Sequence, residues 1–256
     1  MFTRAIVRPP GRNFAQGLTT VDFGVPDYEV AVAQHEQYCQ ALQQCGLSLT
    51  RLLADDRYPD STFVEDVAIL TPRGAILTAP GAASRAGEVA AIRDTLQSFF
   101  PAPFQIESPG TLDGGDICDA DGHYLIGISK RTNEEGARQL AHILAQLGHT
   151  SAFIDVRQIH TLLHLKTGLT SLGDGRLAVI DALADHPALR GYELVRTVPG
   201  EEYAANCIRV NDYVVLAAGF PAFEKSVRDL GHNVIAVAMS EFSKQDGGLS
   251  CLSLRF

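Results

Sequence analysis

The run Asp246-Gly-Gly-Leu-Ser-Cys251-Leu-Ser-Leu-Arg-Phe256 governs how the rest of the sequence is read. Its two adjacent glycines lack Cβ, so the backbone there bends sharply or admits a ligand at close range. Beyond the cysteine, Leu252, Leu254 and Phe256 alternate with Ser253 and Arg255, which predicts a half-buried strand over 249–256. A cysteine at the mouth of a glycine-flexed loop, held by a strand, stands where a nucleophile would. The same pattern also fits one more small buried thiol, the usual state of a free cysteine. The strand needs a partner, and Ala5-Ile-Val-Arg8, halted by Pro9-Pro10, supplies one.

Outward from this stretch, one order of elements recurs: strand, turn, strand, helix, strand. The first copy is Val67-Ala-Ile-Leu70, Thr71-Pro-Arg-Gly74 and Ala75-Ile-Leu-Thr78, with a helix over 88–99. The second is Ile117-Cys118, Asp119-Ala-Asp-Gly122 and Tyr124-Leu-Ile-Gly127; its helix starts at Thr132-Asn-Glu-Glu135, the spacing of a capping box. The third is Leu169-Thr-Ser-Leu172, Gly173-Asp-Gly175 and Leu177-Ala-Val-Ile180. The fourth is Cys207-Ile-Arg-Val210, Asn211-Asp212 and Tyr213-Val-Val-Leu216, with a helix over 223–230 and the strand Val234-Ile-Ala-Val237. The fifth is split between the two ends, 249–256 pairing with 5–8. Its helix is capped by Asp27, carries the approximate stripe Val30, Val32, Ala33, Tyr38 and Leu42, runs to Gln44 and stops at Gly46. Repeats of roughly 40–50 residues mark radial or stacked architectures. Five α/β units closed by their ends predict a ring with fivefold pseudosymmetry; an ordinary α+β domain with several hairpins is the alternative.

Composition sets the outer bounds. The chain has 256 residues, 46% apolar and 20% charged, with ample material for a core. At this length one large domain over 1–256 or two small ones are possible. A net charge of −9 repels nucleic acid and anionic membrane. No run of eighteen apolar residues and no leader pattern occurs, so a cytoplasmic protein is expected. Five cysteines without paired spacing predict reduced thiols. His160 and His164 have the spacing of a metal pair on a helix, but no further ligand is spaced for them, so no metal is expected. The loop 11–26 is long for a compact domain and reads as a lid.

In every unit a polar or glycine-rich cluster precedes the first strand: Phe63-Val-Glu-Asp66, Asp113-Gly-Gly-Asp116, His164-Leu-Lys-Thr-Gly168, Tyr203-Ala-Ala-Asn206 and Asp246 to Cys251. Arranged about an axis, the five converge. Each alone is weak: Asp-Gly is a common turn, and a lone histidine after two leucines suits a core. Together, a cysteine, a histidine and carboxylates form a set for thiolate catalysis. The surplus of acid narrows the chemistry, because carboxylates disfavour a neighbouring thiolate unless a cation is bound. A guanidinium is such a cation, and its planar donors suit a bidentate carboxylate grip.

At these clusters the sequence resembles the dimethylarginine dimethylaminohydrolases, within the guanidino-group-modifying (pentein) superfamily that also holds arginine deiminases and amidinotransferases. The matching stretches are Phe63 to Asp66, Leu112 to Asp116, Lys130-Arg-Thr-Asn133, His164 to Thr167, Ala204-Ala-Asn-Cys207 and Asp246 to Cys251, in the family's order along nearly the whole chain. The resemblance implies a five-bladed α/β propeller that hydrolyses N-ω-methylated arginines to citrulline and a methylamine, without metal or organic cofactor. It implies Cys251 as nucleophile, His164 as general acid and base, and Asp113 as the histidine's carboxylate. Some members carry Glu at that position, a difference of one methylene. Asp66, backed by Glu65, matches the guanidinium grip. Asp60 and the Leu18 carbonyl match holders of the α-amino group, with the Gln245 backbone as a further candidate; Arg85 and Arg131 match the α-carboxylate clamp. Asp60, after Pro59, also reads as a turn residue. Both arginines stand near helix starts, where a cation is unfavourable unless an anion sits there. A deiminase or amidinotransferase acting on another guanidine, and a noncatalytic guanidine-binding protein, are the competing readings. A homodimer is compatible with all of them, since no motif encodes oligomeric state.

Overall fold

A computed structural model describes residues 1–256. The strands are β1 (Arg4–Val7), β2 (Ser48–Arg51), β3 (Ala68–Thr71), β4 (Gly74–Leu77), β5 (Phe104–Gln105), β6 (Ile117–Ala120), β7 (His123–Ile128) and β8 (Thr150–Asp155). They continue with β9 (Leu169–Gly173), β10 (Arg176–Val179), β11 (Glu193–Arg196), β12 (Ile208–Val210), β13 (Tyr213–Ala217), β14 (Asn233–Val237) and β15 (Leu254–Arg255). They form five three-stranded sheets in the orders β15-β1-β2, β3-β4-β5, β6-β7-β8, β9-β10-β11 and β12-β13-β14. In each, the central strand pairs antiparallel on one side and parallel on the other. This is the expected fivefold repeat, a five-bladed α/β propeller.

Local chemistry explains both kinds of pairing. Three hairpin turns place Asp121, Asp174 and Asn211 at φ of 58°, 54° and 55°, the left-handed region that Asp and Asn tolerate. A parallel partner requires a crossover. Helices Tyr28–Gln44, Glu88–Gln97, Glu134–Gln146 and Pro221–Asp229 provide it in four blades, and the short turns Asp181–Ala184 and Pro187–Leu189 in the other. The ends close as expected: Ala5 pairs with Arg255 and Ile6 with Leu254. Tyr38, Leu42, Ile208, Val215, Leu249 and Leu252 share the apolar cluster at this seam. Burying one such leucine contributes about 1.5–3 kcal/mol.

Four details differ from expectation. The strand expected from Leu249 begins only at Leu254, because Ser250–Leu252 forms a 3-10 turn that carries Cys251. Helix Glu134–Gln146 is capped by Asn133, whose side chain accepts from the Gly136 N–H; the Thr132 hydroxyl turns instead to buried Asp116 at 2.6 Å. Helix Tyr28–Gln44 is capped by Asp27 as predicted, but it buries Ala31, Gln34, His35, Tyr38, Cys39, Ala41 and Leu42 and leaves Val30 and Ala33 exposed. Polar Gln34 belongs to that face because its amide bonds Ser240 and the Glu241 N–H. Helices expected over 88–99 and 223–230 span Glu88–Gln97 and Pro221–Asp229.

The first strands lie innermost, with β3 against β15, β6 against β9 and β9 against β12. Each is preceded by a single helical turn: Val64–Val67, Gly114–Asp116, Leu165–Gly168, Glu202–Ala205 and Ser250–Leu252. These are the five polar clusters of the sequence, and the ring gathers them at its axis. No helix is long and apolar enough to cross a membrane.

Candidate active site

Cys251 sits on its 3-10 turn, buried. The turn is held from the neighbouring blade: the Ser250 N–H donates to Asn206 Oδ1 at 2.9 Å, and the Tyr203 hydroxyl donates to the Gly247 carbonyl at 2.7 Å. The glycine pair is required for close approach rather than for unusual dihedrals. A Cβ on Gly247 would lie 2.4 Å from the Phe63 ring, and one on Gly248 2.3 Å from the Asn206 side chain.

Across the axis, His164 precedes the turn Leu165–Gly168 with Nε2 3.0 Å from Asp113 Oδ2. Asp113 is fully buried; its other oxygen accepts from the Gly81 N–H at 2.7 Å, and Arg131 approaches Oδ2 at 3.5 Å. Asp66 accepts from the Gly115 N–H at 2.8 Å and from Arg85 at 2.5 Å. Only glycine fits at 115, where a Cβ would lie 2.6 Å from His164 Nδ1 and 2.8 Å from Asp66 Oδ1. Asp116 locks the histidine turn by accepting from the Leu165 N–H and from the Ser129 and Thr132 hydroxyls.

A cavity of about 20 Å³ opens among these turns, lined by Leu18, Asp60, Asp66, Arg85, Arg131, His164, Gln245 and Cys251. That volume holds about one water. Asp113 meets the cavity only through His164 and Arg131. Glu65 lies elsewhere: it borders a cavity of about 820 Å³ and pairs with Lys166 at 2.6 Å and Arg255 at 3.4 Å. Asp60 accepts from the Leu18 N–H at 3.0 Å, fastening the loop 11–26, and the Thr20 N–H reaches Asp246 at 2.5 Å. That loop is anchored at its base by Phe14, buried against Phe63 and Phe242.

Arg85 resolves the puzzle of a cation near a helix start. Its Nε and Nη2 bind Glu88, the first residue of that helix, and Nη1 binds Asp66; Nη2 also reaches the carbonyls of Asp60 and Phe63. The Arg85–Glu88 i,i+3 spacing was visible in sequence, but nothing local marked the pair as buried. Lys166, Tyr203 and Asn206 also escaped selection as site residues although each lies in a quoted cluster, because their partners come from other blades; Asp116 did too, its partners Ser129, Thr132 and Leu165 lying 13 to 49 positions away.

The electrostatics follow from burial and from this surplus of acid. Burial, then the carboxylates of Asp66 and Glu65, push the Cys251 thiol up to about 12. Burial opposes charge on His164, but Asp66, Asp116 and Asp113 outweigh it and push the imidazole up to about 9. Burial would raise Asp66, yet the charges of His164 and Arg85 hold it below the usual carboxylate range. At neutral pH the site therefore holds a neutral thiol and an imidazolium, and no hydrogen bond joins them; the sulfur contacts Ser250 Oγ at 4.0 Å. Ligand atoms of Asp66, Asp113 and His164 lie within 4.8 Å of one another, a concentration of charge able to receive a cation.

The chain is similar to known proteins over its whole length. The family model described as arginine deiminase matches residues 56–201. An N(G),N(G)-dimethylarginine dimethylaminohydrolase of Pseudomonas aeruginosa is 44% identical over the whole of both chains, and one of Streptomyces coelicolor is 33% identical over 98% of this chain and 96% of its own. The structure of a cysteine-to-serine mutant of the Pseudomonas aeruginosa enzyme, complexed with citrulline, superposes with a TM-score of 0.97 at 43% identity and full coverage of both. The chain belongs to the arginine deiminase family and, within it, to the dimethylarginine dimethylaminohydrolases.

Proposed function

We propose that the protein hydrolyses N-ω-methylated L-arginines to L-citrulline and a methylamine, with Cys251 as nucleophile. The observation that carries this reading is that buried Cys251 lines one cavity with Asp60, Asp66 and His164 and makes no hydrogen bond to that histidine; burial and carboxylates push the thiol up, and carboxylates push the imidazole up. Such a thiol lacks a resident base and becomes a thiolate when a cation enters and reverses the local potential. A substrate guanidinium against Asp66 supplies that charge, and the thiol proton leaves to solvent. The relatives' activity on dimethylarginine, and the citrulline bound in the Pseudomonas aeruginosa structure, agree with this choice of cation.

The thiolate then adds to the guanidinium carbon. The bond from that carbon to the methylated nitrogen breaks as His164 delivers its proton, releasing the amine and leaving a thiouronium on Cys251. Water adds to the same carbon, His164 takes one of its protons, and the carbon–sulfur bond breaks as the remaining hydroxyl proton passes to solvent, giving citrulline and the thiolate. Asp113, on His164 Nε2, orients the ring and stabilises its charge through both transfers. Proton transfer by a placed histidine typically contributes about 10²–10⁴-fold. In this reading, which follows the family resemblance, Arg131 with Arg85 holds the α-carboxylate and Asp60 with the Leu18 carbonyl holds the α-amino group; their lining of one cavity with Cys251 supports it, although Arg85 is also held by Asp66 and Glu88; no step calls for a metal or organic cofactor. Five unpaired cysteines suit a reducing cytoplasm.

The test is citrulline release from asymmetric dimethylarginine, monomethylarginine and arginine in parallel. Turnover of the methylated substrates with little on arginine supports the proposal. Preferential turnover of arginine makes the protein a deiminase, and turnover of none makes it a binding protein.

A further inference from the structure

Asp116 is a fully buried carboxylate that the reaction leaves unused, and neutral donors alone meet it. A buried charge with no cation in contact is costly and calls for a compensating arrangement. Oδ2 accepts from the Ser129 and Thr132 hydroxyls, both at 2.6 Å, and Oδ1 from the Leu165 N–H at 2.9 Å. The other bonds of the two hydroxyls fix their direction. Ser129 Oγ already accepts from the Arg131 and Thr132 N–H groups at 3.0 and 3.1 Å, which fills its lone pairs and leaves only a proton to give. Thr132 Oγ1 accepts from the Asp113 N–H at 3.1 Å. Asp116 thus faces three donors, the setting of a carboxylate rather than a carboxylic acid. Burial pushes this carboxyl up, and the charge of His164, then the two hydroxyls, pull it back.

One carboxylate therefore ties three parts of the site together. Leu165 opens the turn that His164 precedes, Thr132 holds the backbone of Asp113, and Ser129 holds the backbone of Arg131. The packing leaves no slack: a Cβ on Gly127 would lie 2.7 Å from Leu165 Cβ and 2.9 Å from Asp116 Oδ1. We infer that Asp116 is a positioning residue for departure of the amine, setting His164 in register with Asp113 and Arg131 and holding its imidazole protonated for that step. The inference rests on the proposed function and deepens it. His164 faces the carboxylates of Asp66, Asp113 and Asp116. The cavity adds Arg85, Arg131, Asp60, Asp246 and Cys251, while Lys166 of the same turn is paired with Glu65. Asp66 is also bound by Arg85, and Asp113 is approached by Arg131. Among cations, only His164 offsets Asp116, so the charge of this acid acts chiefly on the imidazole. The step that draws on it is cleavage of the carbon–nitrogen bond, where the bonding pair leaves with the nitrogen and the His164 proton joins it.

Two measurements test this, one of them without turnover. In an NMR titration of the isotope-labelled histidines, Asp116→Asn should lower the His164 midpoint by about one pH unit or more, the effect of losing one nearby opposite charge. In steady-state kinetics, its kcat on asymmetric dimethylarginine should fall about 10- to 100-fold, part of what a placed acid supplies. Its kcat on S-methyl-L-thiocitrulline, whose methanethiolate departs without a proton, should change less than about threefold. The asparagine amide meets a donor in either orientation, so Thr132→Val is the milder companion. It keeps the shape, removes one donor that holds Asp116 ionised, and should move both readouts the same way by less; it decides alone if Asp116→Asn does not fold. An unchanged His164 midpoint, or equal losses on the two substrates, would overturn the inference. A lowered midpoint in a protein that turns over no methylarginine would end the catalytic reading and leave the hold on His164 standing; turnover with an unchanged midpoint would do the reverse.

Discussion

Replacing Arg85 with methionine removes the guanidinium that bridges two buried acids while keeping an unbranched side chain in its place. In the wild type that group reaches Asp66 at 2.5 Å and Glu88 at 2.8 Å, with all three side chains 4% exposed. Without it, Glu88 is left buried without a cation and Asp66 keeps only the charge of His164. Removing one partner of a buried pair typically costs about 3–5 kcal/mol, and in a domain near this size each kcal/mol shifts Tm by roughly 2–4 °C. The variant should therefore melt about 6–20 °C lower at pH 7. Its pH dependence identifies the cause. Stripped of Arg85, Glu88, already raised by burial, titrates further above its unfolded-state value while Asp66 keeps the charge of His164; the folded state binds more protons, and stability rises as pH falls from 7 to 5. Wild-type Asp66, held below its usual range, stays ionised across that interval. Scanning calorimetry at both pH values measures the effect, and adding Glu88→Gln should recover part of the loss at pH 7. A penalty under about 1 kcal/mol, or one equal at pH 5 and pH 7, would refute the reasoning.

Further outcomes follow from other contacts. Gly115→Ala should cut kcat at least 100-fold, because its Cβ would displace His164 Nδ1 from 2.6 Å, while overpacking lowers stability by only about 1–3 kcal/mol; steady-state kinetics beside a melting curve separates the two. His164, pushed from 6.5 to about 9, should contribute about 3 kcal/mol that is fully present below its unfolded value and lost as pH rises through 9. Urea melts from pH 6 to pH 10 should show that loss in wild type and not in His164→Gln. Because the cavity holds about one water, an amino acid enters only when the lid lifts; hydrogen exchange over residues 17–24 should slow when citrulline binds, while the segment around Phe14 stays protected throughout.

The fold was legible because its repeat is written in local chemistry: period-two apolar runs, Asp-Gly and Asn-Asp turns, and a polar cluster before each first strand. Convergence of Asp66, Asp113, His164 and Cys251 followed from symmetry once the ring was assumed. What stayed hidden depends on pairs drawn from different blades. Lys166 against Glu65 and Asn206 against the Ser250 N–H join residues 101 and 44 positions apart, and nothing in either segment announces its partner. Glu65 was grouped with Asp66 by adjacency, but neighbouring residues of a helical turn point in different directions, and it faces the other cavity. The Thr132 capping box fitted by spacing and failed because buried Asp116, fixed by another turn, claims the hydroxyl.

The central claim is that Cys251 ionises only when a cation fills the site, and the pH dependence of its alkylation by a neutral reagent tests this most directly. Peptide mapping by mass spectrometry confirms that the label is on Cys251 rather than on Cys118 or Cys207. With nothing bound, labelling should be slow near pH 7 and rise only in alkaline solution, in line with a thiol pushed up to about 12. A small unreactive amidinium that leaves the sulfur accessible should move that rise to lower pH. Rapid labelling at pH 7 in the free protein, unchanged by the amidinium, would show a resident thiolate–imidazolium pair and contradict the account.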